Sequence, residues 1–140
     1  IGTMESNQRT HVKGCFGCDP DNPIGLKAVF ASNENCITGY FQSNNNHQGP
    51  PGYVHGGIIS AFIDESCSYF ARKFFQTDIL TIRNEIRFKN PARLGELISI
   101  EVHLKEEKNR TVTVSSKVFS GEKITAVGES SLMKIKENSI

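Results

Sequence analysis

The sequence contains neither a long apolar run nor a marked excess of charge of one sign. No segment approaches the roughly 20 consecutive apolar residues that a membrane-spanning helix needs, so we expect no membrane partner. The 16 basic and 15 acidic residues give a net charge of +1, which leaves no general field to attract nucleic acid. A ligand that carries phosphate would therefore have to be bound by a local cluster of basic side chains.

Signs of secretion are missing as well. Residues 1–11 are polar and lack the apolar core of a secretion signal, and four cysteines in 140 residues then favour a reducing compartment over a disulfide framework. We therefore expect a cytoplasmic protein. The length allows one domain, which we place at residues 15–140. Residues 1–14 are interpreted as a tail, and the three residues ahead of Met4 as a cloning remnant.

Several motifs of well-known enzyme classes do not occur. There is no G-x-S-x-G elbow, no phosphate-binding loop and no dinucleotide fingerprint. Cys15 and Cys18 form a single C-x-x-C, whereas a structural zinc site normally needs a second such pair or two histidines, and a redox pair is followed directly by a helix. We therefore predict no metal and no cofactor.

The order of apolar and turn-forming segments predicts the fold. Residues 26–31 and 36–42 are expected to form a hairpin. The most apolar stretch, from Gly56 to about Phe75, has the length and spacing of a helix that is buried on most sides. Four more strands are predicted, at residues 81–89, 96–105, 110–119 and 123–135. Alternation in the first of these places Ile82, Ile86 and Phe88 on one face. In the next two it predicts that the apolar residues point inward: Ile98, Ile100, Val102, Leu104, Val112, Val114 and Val118. Because hairpin-length turns join the last three, we expect an α+β fold in which an antiparallel sheet curls around one long central helix.

Two glycines, Gly56 and Gly57, lie where the predicted helix begins. A helix N-terminus presents unpaired N–H groups and a partial positive charge, and glycine lets an oxygen approach them closely. The pair suits a carbonyl oxygen that gains charge, although paired glycines also simply end a turn. His55 could orient a substrate, donate to an oxyanion or cap the helix. The loop of His47 and Gln48 could fold over the helix start and supply a side-chain amide.

Asp64 follows Gly57 by seven residues, so the two point the same way but lie about 10 Å apart along the helix axis. They share a stripe of small residues that includes Ser68. One reacting centre cannot touch both within a chain, but it could touch Gly57 of one protomer and Asp64 of another across a two-fold axis. A catalytic Asp64 thus requires a homo-oligomer. Glu65, beside Arg72 at the edge of the stripe, better fits a solvated or ion-paired role.

Five segments resemble a known family when they are taken together. They are Cys15–Cys18, Asn22–Leu26, His47–Gly57, Asp64 with Glu65, and Phe88–Glu96. In these segments the chain, from about Cys15 to Lys136, resembles the hotdog-fold thioesterase superfamily, in particular the branch of phenylacetate-pathway and medium-chain acyl-CoA thioesterases.

The resemblance implies a hotdog fold, dimers that often pair into tetramers, and hydrolysis of acyl-CoA to the free acid and coenzyme A. It further implies that the backbone N–H of Gly57 polarises the thioester carbonyl. Asp64 of the neighbouring protomer would act as general base or nucleophile.

The resemblance also defines candidates for substrate binding. Some relatives carry an asparagine six residues before the histidine of the His-Gly-Gly motif; here that position is Gly49, and Gln48 beside it is the candidate substitute. The one local excess of positive charge is the candidate site for the coenzyme A phosphates, and it is formed by Arg83, Arg87, Lys89 and Arg93. The predicted substrate-binding residues are Gly56, Gln48, His47, Ser68, Arg87, Lys89 and Arg93.

Two other functions stay open at this point. Hotdog domains also resemble the ligand-sensing domains of lipid regulators, so the chain could be a non-catalytic acyl-CoA binding module. It could also be an enoyl-thioester hydratase or dehydratase, which would make His55 essential and would leave the thioester bond intact. The acyl preference, the choice between coenzyme A and acyl-carrier protein, and the choice between dimer and tetramer are likewise open.

Overall fold

The computed structural model describes residues 13–135, and within them the chain forms one long helix, six strands and a short 3-10 turn. The elements are β1 (Val29–Ser32), β2 (Cys36–Gln42), the 3-10 turn (Asn45–His47), α1 (Gly56–Phe75), β3 (Ile79–Phe88), β4 (Leu97–Glu107), β5 (Thr111–Ser120) and β6 (Lys123–Lys134). The predicted order of elements is confirmed. No helix in this part of the chain is long and apolar enough to cross a membrane. The predicted tail lies mostly outside the described residues.

All six strands form a single antiparallel sheet in the order β1-β2-β4-β5-β6-β3. The predicted hairpin of β1 and β2 is present, but β1 begins at Val29 rather than at residue 26. The residues before it pair with the N-terminal loop instead: the Leu26 amide donates to the Phe16 carbonyl at 2.8 Å, and the Ala28 amide donates to the Gly17 carbonyl at 3.0 Å.

The sheet curls around α1 and buries the apolar side chains of both. The predicted inward positions of β4 and β5 are confirmed, since Ile98, Val102, Val112, Val114 and Val118 are all fully buried. A fully buried side chain of this kind stabilises the fold by about 1.5 to 3 kcal/mol. An antiparallel sheet wrapped around one long helix is the arrangement that the resemblance to the hotdog fold implies, and the fold prediction is confirmed.

Aromatic pairs join the helix to the first two strands. Phe30 of β1 stacks on Tyr69 of α1 with ring centroids 4.5 Å apart, and Phe41 of β2 meets Phe62 of α1 edge to face at 4.7 Å. These distances are in the range in which aromatic pairs attract beyond their buried area. The helix is therefore held in a fixed rotation, which determines which of its side chains face each strand.

Strand β3 departs from the predicted alternation. The sequence predicts that Ile82 shares a face with the later apolar residues of the strand, and this is wrong. A shift of register after Thr81 makes Ile82 the extra residue of a bulge, where it is 50% exposed. Thr81 takes the inward place of Ile82 and pairs with buried Leu132, and Asn84, on the face of Ile86, pairs with buried Ser130. Two polar side chains of β3 thus lie on its inner face, toward the helix.

Candidate active site

A cavity of about 290 Å³ opens where α1 begins. Its walls are mostly apolar, and they are formed by residues before and inside the helix and by the end of β3. The Val54 amide donates to the Ala92 carbonyl at 2.9 Å, which fixes the loop before the helix against the loop after β3. Lys89 and Thr125 add polar groups to the wall, and the buried Thr125 hydroxyl has no hydrogen-bond partner within residues 13–135. The cavity combines an apolar lining with a few polar groups, as small-molecule sites do.

The two glycines at the helix start differ in their hydrogen bonds. The Gly57 amide donates to Nδ1 of His55 at 2.8 Å, so it is not the unpaired donor that the sequence suggests. Because Nδ1 accepts, a neutral His55 ring carries its proton on Nε2. No described residue accepts a hydrogen bond from the Gly56 amide, and Gly56 lines the cavity. The open donor at this helix start is therefore Gly56.

His47 lies inside the protein rather than at the cavity. It is 1% exposed, and its Nδ1 accepts from the Asn44 amide at 3.1 Å. Its carbonyl accepts from the His55 amide at 2.8 Å, so it supports the segment that leads into α1. Burial lowers the pKa of His47, and the nearby Ile24 and Gly25 backbone opposes that shift only in part. The predicted role in substrate contact does not fit this position.

This histidine makes stability depend on pH. The unfolded chain takes up a proton near the ordinary pKa of 6.5, whereas the buried ring resists protonation. The free energy of unfolding should therefore fall as the pH drops below about 6.5, by at most about 1.4 kcal/mol per pH unit. Urea unfolding at several pH values measures this dependence. In His47→Gln the part of the slope of unfolding free energy against pH that His47 contributes should be absent. His103→Gln, at an exposed histidine, is the control, and equal slopes in His47→Gln and the unchanged protein would refute the assignment.

Gln48 uses part of its side chain within its own loop. Its Oε1 accepts from the Gly52 amide at 3.1 Å, which closes the turn that contains Pro50 and Pro51. Gly49 stands where some relatives carry asparagine, and the reason is local. A Cβ at this position would lie 2.7 Å from Cα of His55. An asparagine at this position would displace the backbone that leads into the helix.

Asp64 is held by a chain of hydrogen bonds that the sequence did not reveal. The Nδ2 group of Asn84 donates to Oδ1 of Asp64 at 3.1 Å, and Oγ of the fully buried Ser130 donates to Oδ1 of Asn84 at 2.5 Å. Ser130 thereby orients the Asn84 amide so that its N–H groups point at the carboxylate. The nearby Cys67 is not a nucleophile, because burial, and secondarily the charge of Asp64, raises the pKa of its thiol to about 12.

Helix α1 and strand β3 run side by side in opposite directions. Gly56 lies next to the Phe88 ring, Asp64 next to Asn84, and the Ser68 hydroxyl is 3.4 Å from that of Thr81. Gly56 and Asp64 are eight residues apart, which is about 12 Å along the helix. A single chain therefore does not bring the open amide and the carboxylate together.

The outer edge of β3 is unpaired within the described residues, because β3 is the last strand of the sheet. Three large apolar side chains of this strand are about half exposed: Leu80 (50%), Ile82 (50%) and Phe88 (56%). An exposed apolar edge strand is a template for pairing with another strand. The edge lies directly beside Asp64 and its partner Asn84.

The predicted basic cluster divides into two groups. Arg83 is occupied by ion pairs with Glu85 at 3.2 Å and Glu129 at 3.7 Å. In the stretch from residue 13 to residue 135, Arg87, Lys89 and Arg93 form no ion pair, and all three are exposed. Lys89 also lines the cavity. These three cations are available to a ligand.

Residues 51–127 match the thioesterase superfamily, and the chain belongs to this family. It is 32% identical over 92 residues to human acyl-coenzyme A thioesterase THEM5, which is 65% of this chain and 36% of that protein. It is 29% identical over 103 residues to rat acyl-coenzyme A thioesterase THEM4, covering 74% and 44%. The chain thus spans less than half the length of these curated relatives.

A comparison with solved structures shows the same fold. The Escherichia coli PaaI protein from the phenylacetic acid degradation operon superimposes with a TM-score of 0.74 over 79% of this chain and 81% of that one, at 13% identity. The family that the sequence resemblance indicates is therefore confirmed, and so is its fold.

Proposed function

We propose that this protein hydrolyses acyl-CoA thioesters to the free acid and coenzyme A. The observation that carries the proposal is the open Gly56 amide, which lines an apolar cavity at the start of a long helix. In this proposal the acyl chain lies along the apolar walls, and the thioester carbonyl oxygen accepts a hydrogen bond from the amide. The match to acyl-coenzyme A thioesterases supports the same substrate class.

Gly56 is the proposed oxyanion donor in place of Gly57. The Gly57 amide already has an acceptor in His55, whereas Gly56 has none among the described residues. Negative charge that develops on the carbonyl oxygen is stabilised by a preorganised N–H and by the positive end of the helix. We assign His55 a positioning role, because its Nδ1 accepts the hydrogen bond of the Gly57 amide and caps the helix.

The carboxylate is proposed to come from a second copy of the chain. Suppose that two β3 edges pair antiparallel about a two-fold axis near Ile86. Asn84 of one copy then lies opposite Phe88 of the other, at the spacing of adjacent strands, about 4.8 Å. Within each copy Asp64 lies beside Asn84, and Gly56 lies beside Phe88. Each Asp64 therefore faces the Gly56 of the partner subunit. The half-exposed apolar residues of β3 would be buried in the same contact.

Apart from the substrate and water, the reaction then needs only groups of this chain and its partner copy. The thioester carbonyl oxygen accepts from the Gly56 amide, and the partner subunit's Asp64 either removes a proton from an attacking water or attacks the carbonyl carbon itself. Asn84 fixes the direction of that carboxylate. Collapse of the tetrahedral intermediate breaks the C–S bond. If water attacked, the free acid forms directly and the coenzyme A thiolate takes up the proton that Asp64 removed. If Asp64 attacked, a water then hydrolyses the resulting anhydride, which releases the free acid, regenerates the carboxylate and supplies the proton for the thiolate.

The direct test is a panel of acyl-CoA thioesters, including phenylacetyl and medium-chain forms, with release of free thiol as the readout. We expect turnover of at least part of the panel. Saturable binding without thiol release would contradict hydrolysis and favour a binding module. A hydrated acyl-CoA with its thioester intact would favour a hydratase.

Lys89 provides a separate test of coenzyme A recognition. Lys89→Ala should raise KM for acyl-CoA about tenfold, since a charged hydrogen bond to phosphate contributes about 1.5 to 3 kcal/mol. It should leave unchanged the kinetics of the same acyl group carried on N-acetylcysteamine, which has no phosphates. Arg83→Ala, which removes a cation that is already ion-paired, is the matched control. A loss of equal size with both substrates would refute a contact to phosphate.

A further inference from the structure

A second group of reactive side chains lies where the N-terminal loop contacts α1. The sulfur atoms of Cys15 and Cys18 and a carboxylate oxygen of Glu65 all lie within 4.8 Å of one another. Cys18 is 2% exposed and the Glu65 side chain is 13% exposed. The proposed hydrolysis uses none of these residues. Two thiols and a carboxylate at this spacing are a ligand set that Zn²⁺ accepts.

The loop that carries the two cysteines is held in place by its backbone. The Asp19 amide donates to the Cys15 carbonyl at 3.1 Å, and the Asp19 carboxylate accepts from the amides of Gly14 and Asp21. This closes a tight turn around the pair. The backbone bonds of the same loop to residues 26 and 28 anchor it at the start of β1. Both sulfur atoms are therefore presented to the helix from a defined position.

Gly17 between the cysteines leaves room for the third group. A Cβ at this position would lie 2.6 Å from Oε1 of Glu65 and 2.8 Å from its carboxyl carbon. Only glycine therefore lets the Glu65 side chain lie against the loop. Oε1 of Glu65 is 3.5 Å from the Cys15 sulfur, and Oε2 is buried without a hydrogen bond from any of residues 13–135.

The surrounding charge suits a divalent cation. Two thiolates and a carboxylate carry three negative charges, and Zn²⁺ leaves one of them uncompensated. Arg72 lies 3.6 Å from Oε2 of Glu65 and supplies the remaining positive charge. In the absence of a metal ion, the only charged partner of this largely buried carboxylate among the described residues is Arg72.

We propose that Cys15, Cys18 and Glu65 bind one Zn²⁺ ion, with water in the fourth position of a tetrahedral site. Binding forms two Zn–S bonds and one Zn–O bond and releases the protons of the two thiols to solvent. The ion ties the N-terminal loop to the middle of α1. The C-x-x-C pattern alone does not reveal this site, because the third ligand comes from the helix, 47 residues after Cys18.

The test uses the full chain, stripped of metal under reducing conditions and titrated with Zn²⁺ or with Co²⁺ as a spectroscopic probe. We expect one ion per chain and a thiolate-to-Co²⁺ charge-transfer band. Cys15→Ser and Cys18→Ser should each raise Kd about 100-fold, and Glu65→Gln about tenfold. Cys36→Ser, at a partly exposed cysteine on β2, should bind as the unchanged protein does.

Gly17→Ala is a variant that keeps all three ligands. Its added methyl group displaces the Glu65 carboxylate, so Kd should rise about tenfold while both thiols remain. Far-UV circular dichroism should show that this variant is folded. Its weaker affinity for the metal then reflects a change of the site and not a loss of folding. Equal affinity in Cys15→Ser and the unchanged protein would overturn the proposal. So would an absence of bound metal together with a Cys15–Cys18 disulfide in thiol mapping.

Discussion

Replacing Asp64 with alanine should lower kcat for acyl-CoA hydrolysis by about 10³-fold, which is the contribution of a well-placed general base. The carboxylate is fixed by Asn84, and Asn84 is fixed in turn by buried Ser130. Neither the amide nor the hydroxyl replaces a carboxylate as proton acceptor at neutral pH. We therefore expect that the loss appears mainly in kcat, and that KM changes little, in steady-state assays of thiol release.

Asp78→Asn is the matched control for this experiment. Asp78 is an exposed carboxylate just after the same helix, so its neutralisation should leave kcat unchanged. Asp64→Asn should be as inactive as Asp64→Ala, because the amide has the size but not the basicity of the carboxylate. Activity within a few fold of the unchanged protein in Asp64→Ala would exclude Asp64 as base and as nucleophile.

Deleting a single backbone N–H at the helix start should cost about 10² to 10³ in kcat/KM, the effect of one oxyanion donor. Gly56→Pro makes this deletion with little strain. Gly56 is the first residue of α1, where proline is well tolerated. His55 before it has ψ of 135°, which is the range that a residue before proline prefers. The measurement is kcat/KM with one acyl-CoA that the unchanged protein hydrolyses.

Gly56→Ala separates the lost donor from the added bulk. It keeps the N–H and adds a Cβ whose nearest neighbour is the Phe88 ring at 3.6 Å, an ordinary contact. We expect Gly56→Ala to keep most of the activity. If Gly56→Pro is as active as Gly56→Ala while Gly57→Pro is inactive, the donor is Gly57 and the assignment made from the hydrogen bond to His55 is wrong.

The helix and the strands could be predicted because their signals are local. The glycine pair and the apolar periodicity predict α1 from Gly56 to about Phe75, and the structure has these bounds. The alternation of β4 and β5 is equally direct, because each strand is buried on one face. Short connections between them leave only antiparallel pairing. Each of these features depends on residues close together in sequence.

The parts of the site that could not be predicted depend on tertiary contacts. The bulge at Ile82 shifts the register at the start of β3, so that Thr81 rather than Ile82 lies toward Ser68 of the helix. Asn84 keeps the face of Ile86 that alternation gives it, and the contact that alternation does not reveal is its hydrogen bond to Asp64. An asparagine in a strand shows no sign in the sequence of the helix residue that it contacts. The bond from Gly57 to His55 likewise depends on the ring's rotamer, which helix periodicity does not reveal.

The contact of Glu65 with the cysteine loop was missed for a related reason. The sequence predicts that Glu65 is solvated or ion-paired beside Arg72, two turns further along the helix, and the structure contains the ion pair at 3.6 Å. The contact of Cys15 and Cys18 with Glu65 brings together segments that are 47 residues apart in the sequence. No periodic pattern in the sequence indicates such a contact. Gly17 was the available signal, since a glycine between two cysteines permits the close approach of another side chain.

The shared active site is tested most directly by mixing two inactive proteins. Asp64→Ala lacks the carboxylate and Gly56→Pro lacks the donor, so every site in either homodimer is defective. After unfolding and refolding an equal mixture, half of the dimers are mixed, and each has one intact site, so we predict about a quarter of the unchanged protein's activity. A mixture that contains the mixed dimer by mass spectrometry, yet is as inactive as its two parents, would contradict a site built from two chains.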